Sequence, residues 1–218
     1  MPLGRGTFTY RITDEEARIN LNTAPPDRID RLLTVLGVDK QARDVINDSL
    51  QDWKDPDELH RVNGAESDYY LKLPVPYRAR NANLEDVAEL LQIRGVTPEL
   101  YLGRNGEPGL AEYVTVRGAG QVNINTASPT VLKALGLSEA EVSQIVQTRA
   151  VAPYAQVPAQ FTARGLSVST RTFRVEADGF VNGERTARVV AIVQKASDAS
   201  GQPAGVIVSW NPAPGGNP

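Results

Sequence analysis

Carboxylates are concentrated in one stretch of this 218-residue chain, between residues 44 and 68. Asp44, Asp48 and Asp52 recur at every fourth residue, so a helix would stack them along one face. Like charges at that spacing destabilise a helix by about 0.2–0.5 kcal/mol per pair, unless water or a bound cation relieves the repulsion. The other acidic residues of the stretch are Asp55, Asp57, Glu58, Glu66 and Asp68.

Two turns would bring several of these carboxylates together. Pro56 favours one turn, and the dipeptide Asn63-Gly64 favours a second that returns the chain toward the first. Four side chains would then converge: Asp52, Asp55, Asp57 and Glu66. Acidic runs are also commonly solvated loops, so the spacing leaves a cation site and a solvated loop as open alternatives.

The ligand types indicate which cation the first alternative implies. Oxygen ligands in a flexible loop suit calcium, and a single histidine, His60, argues against a transition metal. Asp55, Asp57 and Glu66 occupy positions one, three and twelve of an EF-hand loop, but position six, which requires glycine, is His60. The stretch is therefore not an EF-hand.

The composition excludes several classes of function. Because the chain has no cysteine, it has no disulfides, zinc–thiolate sites or thiol catalysis. A nucleophile–base pair would depend on His60 inside an acidic loop, so we predict that the protein is not an enzyme. The formal net charge of −3 argues against a nucleic-acid partner, because phosphate binding requires a concentrated basic surface.

Two segments of the chain repeat each other. INLNTAPPDRIDRLL at residues 19–33 matches VNINTASPTVLKAL at residues 122–135, and each leads into a second helical pattern. We predict two helix–hairpin–helix units. The DNA-binding form of this motif has Gly-apolar-Gly in its hairpin, whereas these hairpins read Gly37-Val38-Asp39 and Gly136-Leu137-Ser138. We therefore predict that they pack against protein, with their asparagines and threonines bonded to local backbone.

Strand patterns lie at both chain ends, with helical patterns between them. We predict a hairpin over residues 6–22, two strands joined by a tight turn at Asn182-Gly183, and a strand over residues 205–210. Helices are predicted at residues 26–36 and 40–53, and from Asn83 through Leu91. The fold class is α+β, with a sheet built from residues 1–22 and 167–218 and a large helical insertion at 23–166. The tail from residue 211 is predicted to be disordered.

Five segments together resemble the K-type minor pseudopilin of bacterial type II secretion systems. They are RINLNTAP (residues 18–25), DSLQDWKDPDE (48–58), NGAESDYY (63–70), NANLEDVAELLQIRGV (81–96) and VNINTASPTVLKAL (122–135). The resemblance implies a pilin-like antiparallel sheet interrupted by a helical domain with SAM-like helix–hairpin–helix units. It also implies a structural role at the pseudopilus tip, in complex with the I- and J-type minor pseudopilins and in a position to meet secreted substrates.

The same resemblance implies a bound calcium ion in the acidic stretch. Its ligands would be Asp52, Asp55, Asp57 and Glu66, together with Asp48. The family's hydrophobic N-terminal helix is absent before residue 6, so we expect a periplasmic domain of an inner-membrane protein whose membrane anchor has been removed. The alternative interpretation is a helix–hairpin–helix adaptor for DNA binding or DNA uptake.

Overall fold

The computed structural model describes residues 1–197 and 200–214. The chain divides into two compact units, one formed by Met1–Glu16 with Ser169–Pro218 and the other by Ala17–Val168. The predicted boundaries after residues 22 and 166 differ from these because a strand at residues 19–20 pairs inside the second unit. The predicted division into an interrupted sheet domain and an inserted helical domain stays a prediction. Within the described residues, no helix has the length and apolar character needed to span a membrane.

The elements are as follows. The strands are β1 (Pro2–Leu3), β2 (Gly6–Asp14), β3 (Ile19–Asn20), β4 (Gly103–Arg104), β5 (Glu107–Pro108), β6 (Val114–Thr115), β7 (Val122–Asn123), β8 (Leu166–Ser167), β9 (Thr172–Val181), β10 (Glu184–Ser197) and β11 (Pro203–Pro214). The helices are α1 (Pro26–Val35), α2 (Lys40–Lys54), α3 (Ser67–Tyr70), α4 (Pro98–Leu102), α5 (Leu110–Tyr113), α6 (Pro129–Ala134) and α7 (Glu139–Val151). Helices of the 3-10 type cover Glu15–Ala17, Val87–Gln92 and Ala159–Arg164.

The first unit is a five-stranded antiparallel sheet in the order β1-β2-β9-β10-β11. The predicted turn between β9 and β10 is confirmed, with φ angles of 53° at Asn182 and 83° at Gly183. The hairpin predicted over residues 6–22 is wrong, because β2 pairs with β1 and β9 whereas β3 pairs with β6. The disorder predicted from residue 211 is wrong for residues 211–214, which pair with the long strand β10. Residues 215–218 lie outside the described part of the chain.

The two faces of this sheet differ in polarity, because side chains alternate along each strand. Paired residues on neighbouring strands place Ile12, Val175, Ala191 and Trp210 in one row on one face. Ile12 and Trp210 are 56% and 57% exposed, so large apolar side chains on this face contact water. The opposite face carries ion pairs, including those of Arg11 and Arg188 with Glu176 at 2.9 and 3.3 Å.

The second unit contains both repeated segments as helix pairs. A short turn joins α1 to α2, and another joins α6 to α7. Gly37 and Gly136 end α1 and α6 with φ angles of 77° and 84°, a left-handed conformation that favours glycine. Asp39 and Ser138 cap α2 and α7, and each side chain accepts a backbone hydrogen bond. The helices predicted at residues 26–36 and 40–53 are therefore confirmed.

Asparagines fix the start of each pair. Asn20 and Asn123 accept the backbone N–H of Asn22 and Asn125, both at 3.0 Å, which confirms the predicted local bonding of these asparagines. The second asparagine of each segment also bonds to distant backbone. Asn22 bonds to the N–H and C=O of Leu84 and to Val116 O, and Asn125 bonds to the N–H and C=O of Tyr154 and to Val168 O.

The helix predicted from Asn83 is wrong in both its type and its start. Because Asn22 accepts from Leu84 N at 2.9 Å and donates to Leu84 O at 2.9 Å, the backbone of Leu84 is not available to helical hydrogen bonds. A 3-10 helix begins later, after Asp86, whose side chain accepts from Ala88 N at 2.8 Å.

Candidate metal site

Each of the three carboxylates stacked along α2 has its own partner. Asp44 forms an ion pair with the lysine one turn earlier on the helix. Asp48 Oδ2 accepts from both the backbone N and Nδ2 of Asn63, at 3.0 Å each. Asp52 is fully buried, and Arg61 Nη1 lies 2.5 Å from its Oδ1. The like charges on α2 are therefore compensated by three different groups.

Asp52, Asp55 and Glu66 form the carboxylate cluster, which is the candidate metal site. One carboxylate oxygen of each residue lies within 4.8 Å of the other two. Calcium binds oxygens at 2.3–2.6 Å, so two oxygens on one ion lie no more than about 5 Å apart. Three carboxylates at this spacing can share one calcium ion.

Local structure explains how the three side chains meet. Asp52 lies in the last turn of α2, and Asp55 is the residue that ends the helix. Glu66 immediately precedes α3, where its side chain makes no capping hydrogen bond to the helix. The loop between them therefore brings the start of one helix beside the end of the other.

Glu66 is the most deeply unsatisfied carboxylate of the cluster. It is 1% exposed, and both of its carboxylate oxygens lack a hydrogen-bond partner among the described residues, as does Oδ1 of Asp55. Burial, with the negative charges of Asp52 and Asp55, raises the pKa of Glu66 to about 7. A buried carboxylate without a partner carries a large desolvation cost, and a cation in the cluster would remove it.

Gly64 allows the loop to pass directly against the cluster. A Cβ atom at this position would lie 1.8 Å from Asp52 Oδ2. Its backbone N–H donates to Arg61 O at 3.0 Å, which closes the turn predicted at Asn63-Gly64. This glycine is therefore needed for close approach of the chain rather than for a left-handed backbone.

The remaining two predicted ligands are not part of this cluster and have hydrogen bonds of their own. Asp57 is exposed, and its Oδ1 accepts from the backbone N of Leu59 at 2.8 Å. Asp48 holds Asn63, as described above. The structure thus brings together Asp52, Asp55 and Glu66 of the five predicted residues, and metal ligation by any of the five stays a prediction.

Sequence reasoning did not single out two other residues of the site. Arg61 Nη1 lies 2.5 Å from Asp52 Oδ1 and 2.5 Å from Asp55 Oδ2. Glu58 accepts from Ser67 N at 3.1 Å and from Ser67 Oγ at 2.9 Å, which lowers its pKa and holds the start of α3. The one signal for Arg61 was that it is the only arginine between residues 44 and 68.

An aromatic group borders the acidic loop. Trp53 and Tyr70 are almost fully buried and meet edge to face at 5.2 Å between ring centroids. Tyr77 stacks on Tyr70 at 5.1 Å. These rings join α2, α3 and the following segment, so both ends of the loop are tied to the core, while residues 56–62 between them are exposed.

Comparison with known proteins extends over most of the chain. Two family models, both described as type II secretion system (T2SS) protein K, match residues 13–116 and 122–180. The chain belongs to this family. A type II secretion system protein K of Pectobacterium carotovorum is 32% identical, over 68% of this chain and 50% of that protein. A Pseudomonas aeruginosa protein of the same name is 28% identical, over 88% of this chain and 62% of that protein.

The protein K fold is matched by a solved structure as well. A chain of the GspK-GspI-GspJ complex from the enterotoxigenic Escherichia coli type 2 secretion system matches with a TM-score of 0.76 and 23% identity. The match covers 98% of this chain and 82% of that chain. The chain spans about half to three fifths of the length of the two curated relatives. These matches give no support to the DNA-binding alternative.

Proposed function

We propose that this chain is a structural, non-enzymatic part of the type II secretion pseudopilus tip, assembling with I- and J-type minor pseudopilins. The observation that carries the proposal is that protein K family matches run through both compact units. The solved chain that shares the fold comes from a GspK-GspI-GspJ complex. On this proposal the chain acts on the periplasmic side of the inner membrane in protein export, where its exposed surface meets secreted substrates.

The sheet of the first unit supports a role in protein contacts. Its apolar row ends at Ile12 on one side and Trp210 on the other, and both are more than half exposed. Exposed apolar patches commonly mark protein–protein interfaces. Assembly of this face with a partner would remove that apolar surface from water.

The helix pairs are, on this proposal, helix–hairpin–helix units of the SAM-like type used for packing within the protein. In each hairpin a polar residue, Asp39 or Ser138, stands where the DNA-binding form has its second glycine. Both residues are instead occupied as N-caps of the following helix. A capping carboxylate at this point also repels phosphate.

Calcium is the cation that the carboxylate cluster fits best. The ligand oxygens belong to Asp52, Asp55 and Glu66, with Asp57 and Asp48 as further candidates on the same loop. When bound, calcium would neutralise the buried charge and hold the start of α3 against the end of α2. We propose that its role is to shape the helical unit for assembly.

Assembly is tested by mixing this chain with soluble I- and J-type minor pseudopilins and measuring complex mass by size exclusion with light scattering. We expect a complex containing all three chains. If folded partners elute separately from this chain at micromolar concentrations, the proposed function is wrong. Binding of fluorescent duplex DNA at low salt, weakening as salt is raised, would support the DNA-binding alternative instead.

Calcium binding is tested by thermal unfolding in chelator and in excess calcium. An ion that binds only the folded state raises the melting temperature by mass action, by about 2.7 kcal/mol of stability at a hundredfold excess over Kd. The double variant Asp52→Asn with Glu66→Gln should lose this response. Asp44→Asn, which lies on the same helix outside the cluster, should keep it. An identical melting curve with and without calcium in the unmodified protein would exclude the site.

A further inference from the structure

We propose that Arg61 is a built-in competitor for the calcium site, whose guanidinium group occupies the carboxylate cluster and must leave when the ion binds. This inference rests on the calcium site proposed above. It assigns to Arg61 the control of calcium affinity, and it makes ion binding an exchange of one cation for another.

The distances place a nitrogen where the ion would be. Arg61 Nη1 lies 2.5 Å from an oxygen of Asp52 and 2.5 Å from an oxygen of Asp55. These values fall within the 2.3–2.6 Å at which calcium binds oxygen. An ion bound to these same two oxygens at that distance would exclude the guanidinium contact.

The guanidinium satisfies only part of the cluster. Both oxygens of Glu66 remain without a partner although the residue is 1% exposed. Arg61 supplies one positive charge to three carboxylates, whereas calcium supplies two and can bind all three within the observed spacing. The third carboxylate is therefore the group that favours the ion over the arginine.

Arg61 can move out without unfolding the loop. Its side chain is 40% exposed, so rotation of the side chain carries the guanidinium group into water. Its backbone N–H also donates to Asp52, at 3.3 Å to Oδ1 and 3.2 Å to Oδ2, and this contact does not involve the side chain. The main chain at Arg61 thus stays hydrogen-bonded to Asp52, the carboxylate that both the guanidinium group and calcium would contact.

The other cation close to the cluster is occupied elsewhere. Lys54 adjoins Asp55 in sequence, but its Nζ donates to Leu21 O at 2.8 Å. Among the described residues, Arg61 is the one that forms an ion pair with Asp52 or Asp55. The competition is therefore the property of a single side chain.

Calcium titration of Arg61→Gln by calorimetry tests the inference. The variant loses two charged hydrogen bonds that the ion otherwise has to displace, so its calcium affinity should rise about tenfold or more. Its melting temperature in chelator should fall, since the cluster then holds no cation. The matched control is Arg78→Gln, which removes an equal charge from an exposed arginine outside the cluster and should change affinity less than about twofold.

The outcomes separate the inference from the calcium site itself. Unchanged or weaker affinity in Arg61→Gln, with calcium binding intact in the unmodified protein, would overturn the competition and leave the site. Loss of binding in both proteins would overturn both proposals. If the variant does not fold, NMR of the Arg61 side-chain nitrogens in the unmodified protein tests the exchange instead. We expect an ordered guanidinium in chelator that becomes mobile on calcium addition, and an arginine that stays ordered in both states would contradict the exchange.

Discussion

The two helix pairs of the second unit begin alike and end differently. Both start with Asn-apolar-Asn at a parallel strand pairing, and both use the same asparagine-to-backbone bonds. Each also has a cation from its second helix on the carbonyl of the middle residue, since Lys54 donates to Leu21 O at 2.8 Å and Arg149 to Ile124 O at 2.7 Å. The repeat therefore preserves a frame of polar contacts.

The two helix pairs differ in the length of the segment that follows the second helix. Residues 55–113 separate α2 from β6 and hold Asp55 and Glu66 of the carboxylate cluster, whereas residues 152–165 suffice between α7 and β8. The second pair has no acidic cluster within its part of the described chain. The repeated helix pair therefore folds without a carboxylate cluster, and the first pair forms one because the longer insertion adds Asp55 and Glu66 to Asp52 of α2.

The largest expected effect concerns Gly64, which exists only in the first pair. Gly64→Ala would put a Cβ 1.8 Å from Asp52 Oδ2. We therefore expect the free energy of unfolding to fall by about 3 kcal/mol, and we expect calcium binding to be lost. At Gly106 a Cβ would meet nothing within 4 Å. Gly106→Ala should therefore lower the free energy of unfolding by only about 1 kcal/mol, the cost of alanine in a left-handed conformation. Chemical denaturation measures the free energy of unfolding of both variants. An equal loss in the two would show that close approach at Gly64 is unimportant.

A smaller effect, equal in the two pairs, is expected at the second asparagines. Asn22→Ala and Asn125→Ala each remove three hydrogen bonds to distant backbone, at about 1 kcal/mol per bond. Each variant should therefore lose about 2–3 kcal/mol in urea unfolding, and the Asn125 variant should keep normal calcium binding. A large loss in only one of them would break the equivalence of the two frames.

The remaining expected effect is a pH dependence of stability that comes from Glu66 beside the first pair. Glu66 has a pKa of about 7 against an ordinary value of 4.5, so between these values the folded state binds a proton that the unfolded state lacks. Stability in chelator should therefore fall as pH rises from about 4.5 to about 7. Glu66→Gln should flatten this slope over that range, as followed by melting temperature. A slope that persists in the variant would assign the titration to another group.

Sequence patterns determined the local elements, because these depend on neighbouring residues. Apolar spacing located α1 and α2, the glycines and caps marked their ends, and Asn182-Gly183 specified a hairpin turn. Matching segments likewise exposed the repeat, and the residue types of the acidic stretch indicated oxygen ligands. The resemblance to protein K rested on the same local segments, and the family matches bear it out.

Tertiary structure decided which distant groups meet, because pairing partners and side-chain reach do not follow from local spacing. It moved residues 19–20 out of the predicted hairpin and into pairing with β6. Through Asn22 it replaced a predicted helix with extended backbone at Leu84. In the acidic stretch it selected Asp52, Asp55 and Glu66 for the cluster, turned Asp48 toward Asn63, and placed Arg61 between two carboxylates. Charge and spacing left a cation site as one of two alternatives there, and only the folded loop shows that Arg61 supplies a positive charge of the protein's own.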